Sequence, residues 1–117
     1  MNEPQIKQRT KQFALRVIKL VSALPLTIEG RAIGGQLIRS GTAVGANYRA
    51  ACRGRSKAES ISKLGNVEEE ADESAYWMEL VIEANLLRPK RVAALYQEAC
   101  ELTAMMAASR ISARARP

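Results

Sequence analysis

Residues 36–47, Gln-Leu-Ile-Arg-Ser-Gly-Thr-Ala-Val-Gly-Ala-Asn, decide how this chain folds. Apolar or small residues recur at Ile33, Leu37, Gly41, Val44, Tyr48 and Ala51, steps of three and four that draw one stripe along an α-helix. Yet the stripe contains Gly41, its neighbourhood contains Gly45, and Gly34 and Gly35 stand just before it. A glycine inside a helix costs about 1 kcal/mol relative to alanine. Four of them between residues 34 and 45 call for compensation. The residue type itself names the compensation: without a Cβ, the backbone of a second helix can come close. The stretch predicts a packing helix and no chemistry.

Working outward, three further helices emerge, separated by short breaks. Upstream, a helix over about residues 5–23 places Ile6, Phe13, Val17, Leu20, Val21 and Leu24 on one face. It stops at Leu24-Pro25, because proline disfavours the α conformation in the residue before it. Thr27 or a neighbour then caps the glycine-bearing helix, which spans about 28–52. Downstream, Ser56-Lys57-Ala58-Glu59 fits a capping box and opens a third helix over about 56–87. At 1.5 Å per residue this helix runs roughly 45–50 Å. Its stripe is Ile61, Leu64, Val67, Ala71, Ala75, Met78 and Ile82, and Pro89 closes it. A fourth helix over about 90–109 buries Val92, Leu95, Tyr96, Ala99, Leu102 and Met106, leaving 110–117 as a frayed basic tail. Four amphipathic helices on short loops must alternate in direction. The expected fold is therefore all-α, an up-down antiparallel four-helix bundle over residues 1–109.

Length and composition agree with one domain. The chain has 117 residues, of which 47% are apolar and 4% aromatic, which favours helix over sheet. No window approaches the ~20 apolar residues of a membrane span. The polar start, MNEPQIKQRTKQ, has no hydrophobic signal core, so a cytoplasmic location without membrane attachment is expected. Cys52 and Cys100 then read as reduced thiols of a core or interface. The net charge of +6 is unevenly spread. Residues 1–66 hold twelve Lys or Arg against three acids, and residues 67–117 hold six against nine. Such halves attract each other within a chain, between subunits, or toward separate partners.

Chemistry has few candidates. The acidic run Glu68, Glu69, Glu70, Asp72 and Glu73 invites a metal centre, but di-iron bundles use Glu-x-x-His pairs and this chain has no histidine. The same lack deprives Ser40, Ser60 and the cysteines of a base. Gly34-Gly35 neither follows a strand nor precedes a Lys-Ser/Thr pair, so no phosphate loop is formed. A non-enzyme without cofactor is expected. Arg39, at the edge of its stripe, is expected to fork onto a helix-three acid such as Glu69 or Glu73. Trp77, one position off the Ala75–Met78 stripe, reads as either a second core layer or an oligomer-interface anchor, the interface being favoured by helices apolar on more than one side. Basic residues form three groups: Lys7, Lys11 and their helix-one neighbours; Arg49, Arg53, Arg55 and Lys57; and Arg110 with Arg114. These are candidate contacts to a nucleic-acid backbone, non-specific and either DNA or RNA, since aromatics for base stacking are scarce.

The pattern of Leu24-Pro25, QLIRSGTAVGAN, Ser56-Lys57 and a Glu-rich third helix resembles the four-helix bundle family first named for proteins encoded in ribosomal-RNA intervening sequences. Gln36, Leu37, Arg39, Ser40, Gly45, Asn47, Ser56 and Lys57 match that family's pattern. The family usually continues Asn-x-x-Glu-Gly, whereas this chain reads Asn47-Tyr48-Arg49-Ala50-Ala51, so the acid is missing and a base stands in the segment. The resemblance implies a bundle that assembles into a ring-like homopentamer. It also implies kinship with an accessory factor of diversity-generating retroelements that binds nucleic acid and a reverse transcriptase. The expected role is thus a non-enzymatic oligomeric scaffold or adaptor that binds nucleic acid or a nucleoprotein partner. The alternative is a purely protein-binding assembly factor whose charge asymmetry serves subunit packing.

Overall fold

The structure, a computed structural model, describes all of residues 1–117. It contains four helices and no strand: α1 Glu3–Ser22, α2 Ile28–Cys52, α3 Lys57–Glu83 and α4 Pro89–Ala115. Each start has a local cause. Asn2 and Gln5 form a reciprocal capping box on α1, both bonds at 2.9 Å. Thr27 accepts from the Gly30 N–H at 3.1 Å, and Ser56 from the Glu59 N–H at 3.1 Å. The Ser56–Glu59 box is only half closed, since Glu59 takes the N–H of Arg55 instead of Ser56.

Two boundaries differ from the sequence expectation. α3 ends at Glu83, four residues early, because Asn85 adopts φ 58° and turns the chain out of the helix. α4 begins at Pro89 and does not fray at 109; residues 110–115 are helical. Arg110 is tied to Glu68 at 2.9 Å, and the Lys57 ammonium caps the last carbonyls, those of Arg114 and Arg116. The basic tail is therefore the docked last turns of a helix.

The helices pack as an up-down antiparallel bundle 50 Å long and about 20 Å across. The core runs through all four, with Phe13, Val17, Leu37, Val44, Met78 and Leu102 fully buried. The α1–α2 seam explains three of the glycines, Gly34 among them, whose added Cβ would lie 3.1 Å from a Val21 methyl. A Cβ on Gly41 would lie 2.8 Å from both methyls of Val17, and one on Gly45 would lie 3.3 Å from the Thr10 hydroxyl. Backbone contact with α1 offsets their helix penalty. Gly35, by contrast, faces open space, so its cost is uncompensated within one chain. Across the α2–α3 seam, the Ser74 hydroxyl meets that of Ser40 at 2.9 Å, both fully buried, and this contact fixes the register of the two helices.

Candidate functional site

Alternating helix direction gathers the cations. The start of α1, the end of α2, the start of α3 and the end of α4 all lie at the same end of the bundle. Residues 1–11, 46–63 and 110–117 thereby converge, carrying eleven Lys or Arg against Glu3 and Glu59. The remainder of the chain holds seven against ten. By sequence range one end thus carries a net of +9 and the rest a net of −3, the same split as between the two halves of the chain but gathered in 37 residues, and Glu68, Glu98 and Glu101 of the rest reach in to neutralise Arg110 and Arg9.

The expected contact residues are not equivalent there. Lys7, Lys11 and Arg49 line one groove between α1 and α2, of about 530 Å³. Lys11 and Arg49 are exposed and make no ion pair, whereas Lys7 lies 3.4 Å from Glu3. Arg53 and Arg55 are exposed on either side of Gly54 in the α2–α3 connection, and Arg114 is exposed in the last turn of α4. Lys57 and Arg110 are committed within the chain, the first to the α4 carbonyls and the second to Glu68. A second cavity of about 580 Å³ opens at the same end among Glu3, Tyr48, Cys52, Leu64, Ser109 and Arg116. Burial pushes the Cys52 thiol upward and the Tyr48 phenol well above its ordinary value, so neither ionises near neutral pH. Both cysteines are free and half-buried.

Along the seams between helices, cations and acids neutralise one another. Arg39 donates to Glu70 at 3.2 Å and pairs with Glu73. Glu73 is as expected; Glu70 replaces Glu69, which faces solvent. Glu70 and Glu73 lie on the turn before Ser74, whose hydroxyl meets that of Ser40, the residue next to Arg39. Arg39 holds the Glu73 carboxyl below its usual range, while burial raises that of Glu70. Sequence reading missed the strongest pair. Arg9 forks onto Glu98 with two bonds of 2.7 Å and reaches Glu101 at 3.0 Å, tying α1 to α4. Its signal was an arginine near the start of α1 and, on α4, Glu98 and Glu101 spaced by three.

Trp77 packs against the core and is only partly exposed, with an indole N–H that is shielded and makes no hydrogen bond. Its neighbour Tyr76 is half exposed and meets it edge-on. No group of three or more acid or cysteine side chains is placed to hold a metal ion, and no helix is long and apolar enough to cross a membrane.

Fold and site together define a small all-α four-helix bundle with one strongly basic end. The chain belongs to the 23S rRNA-intervening sequence protein family, which it matches over residues 2–108. It is similar to a protein of unknown function from the S23 ribosomal protein family of Bacteroides thetaiotaomicron, known from a crystal structure. The two share 28% identity with a TM-score of 0.84, over 94% of this chain and 98% of that one. No curated protein matches the chain.

Proposed function

We propose that this protein is a non-enzymatic, cytoplasmic scaffold that self-associates and binds nucleic acid or a nucleoprotein partner through its basic end. The observation that carries this reading is the convergence of cations from three separate chain segments on one end of the bundle, where they outnumber the acids even after Glu68, Glu98 and Glu101 neutralise Arg110 and Arg9. Such a field attracts a polyanion and releases its counterions, with affinity directed at the backbone and insensitive to base sequence. Assembly as a homopentamer, the state the family resemblance implies, repeats the basic end five times, so that individually weak contacts add by multivalency. Sedimentation should then return five times the 12.8 kDa chain mass.

The test is a fluorescence-anisotropy titration of labelled duplex DNA and structured RNA at about 50 and 200 mM salt. Neutralising about five phosphates makes affinity fall several hundred-fold across that range. Absence of binding at the lower salt overturns the reading.

One observation favours the protein-binding alternative. Leu26 and Ile38 are exposed beside the bare backbone of Gly35, and Leu15, Ile18 and Ile28 are exposed on the same two helices. An apolar face of this kind suits contact with another protein surface, a second copy included. Capture of a protein partner that is unchanged by salt, together with no nucleic-acid binding, is the result this alternative requires.

A further inference from the structure

We infer that the groove between α1 and α2 at the basic end is a phosphate-binding seat, in which Lys11 and Arg49 grip the backbone of a bound nucleic acid. The inference rests on the nucleic-acid reading and narrows it from a charged end to one concavity. Three observations carry it.

The first is the charge of the lining. The groove presents Lys7, Lys11 and Arg49 and no carboxylate. At the same end, Arg110 is held by Glu68, and Arg116 shares its cavity with Glu3. At mid-bundle, Arg39 lies among Glu69, Glu70 and Glu73. Lys11 and Arg49, on facing helices, have no acid to neutralise them. They are donors without acceptors.

The second is the floor. Between the two cations the groove is lined by the small residues Ala14, Gly45 and Ala46, of which Gly45 is buried and is one of the glycines that let α1 approach. Small side chains leave depth in which a tetrahedral anion can sit between two side-chain cations. The volume of about 530 Å³ lies within the ordinary range of ligand sites.

The third is the orientation of the remaining polar groups. Thr10 donates its hydroxyl hydrogen to the Ile6 carbonyl at 2.9 Å, and Thr42 to that of Ile38 at 2.7 Å. Their protons are spent inside the helices. The free donors of the groove are therefore Lys11, Arg49 and the Gln8 amide, with Lys7 shared with Glu3. Arg49 supplies a planar fork and Lys11 a point charge, the two kinds of group that hold phosphate.

The decisive experiment compares full-length variants by anisotropy with the same DNA and RNA, each checked for helicity by circular dichroism. Lys11→Gln with Arg49→Gln removes both grips from exposed positions. Ala46→Leu fills the floor and leaves every charge in place. Lys19→Gln with Arg91→Gln removes the same net charge from the opposite end and serves as the control. The seat predicts a loss on the order of 100-fold for the first variant at about 50 mM salt, and a log–log salt slope shallower by about two. It predicts weaker binding for Ala46→Leu and little change for the control. If the double variant binds no worse than the control while the wild type binds well, the groove is overturned and the broader reading stands. If the wild type binds neither nucleic acid, that reading falls, and an NMR titration with inorganic pyrophosphate decides the groove. Shifts of the Thr42 and Gly45 amides that vanish in the double variant retain it as a site for a free phosphate compound. Their absence removes it altogether.

Discussion

On one side, α1 meets α2 through glycine, with Val17 and Thr10 resting against the backbone at Gly41 and Gly45. On the other side, α1 meets α4 sparsely, and the tie is a single guanidinium, Arg9, forked onto Glu98 and Glu101. The first seam is steric and short-ranged, so its spacing is fixed to a few tenths of an ångström. The second is polar and partly solvated, so it orients the helices while tolerating movement. The proposed phosphate seat lies on the outer edge of the rigid seam, which sets the backbone positions that carry Lys11 and Arg49. A binding site gains from that rigidity, because less order must be imposed when the ligand arrives.

Substitutions can break or sharpen this contrast. The largest effect is expected at Gly41. A leucine there drives its Cβ into Val17 from 2.8 Å and should destabilise the fold by about 3 kcal/mol in urea unfolding. A loss below 1 kcal/mol would mean that the seam yields. Next comes Arg9→Ala, which leaves Glu98, with 15% of its side chain exposed, without its partner. The expected cost is about 2 kcal/mol, lowered from the fully buried case because the pair reaches solvent. A double-mutant cycle with Glu98→Ala should show coupling, and none would reduce the α1–α4 tie to a surface contact.

Gly35→Ala should act in the opposite direction to Gly41. With nothing within 4 Å of the added methyl, only the helix propensity changes, for a gain of about 1 kcal/mol. A gain in stability accompanied by a fall in assembled mass would place Gly35 against another subunit and supply the missing compensation for its cost. The smallest effect is electrostatic. Glu73 has a lowered folded pKa, so its contribution is present above about pH 4.3, the ordinary unfolded value, and is lost as pH falls through the folded value. Glu70, raised by burial, has the opposite sign: its charged form opposes folding at neutral pH, and protonation relieves it. Carboxyl NMR should therefore resolve two separated steps for the pair. Arg39→Ala should move the lower step upward, and an unmoved step would take Arg39 out of the interaction.

Much of this architecture was legible in the residues, and the reasons are local. The stripes Leu37–Gly41–Val44–Tyr48 and Val67–Ala71–Ala75–Met78 are buried as their spacing predicts, since a period of 3.6 permits one inward face. Thr27 and Ser56 cap where their side chains can reach an unpaired N–H. The misses have causes outside the local pattern. Residues 110–115 were read as frayed because their helicity is secured by Glu68 and Lys57, some forty and sixty residues away. Glu69 was preferred to Glu70 because the register of α2 on α3 depends on two buried serines that no hydrophobic count includes.

The sequence by itself determined the four helices, their amphipathic faces, the need for a close helix partner at Gly41 and an excess of positive charge. All of these follow from backbone propensity and periodicity, which act within a few residues. Only the tertiary structure decided which partner fills each need and where the charge goes. Val17 and Thr10 answer two glycines while Gly35 is left bare, and Arg9, Arg39 and Arg110 are neutralised while Lys11 and Arg49 are not. The physical reason is that pairing depends on register across seams. Register is set by contacts between residues distant in the chain, and the alternation of helix direction brings three scattered basic segments to one end.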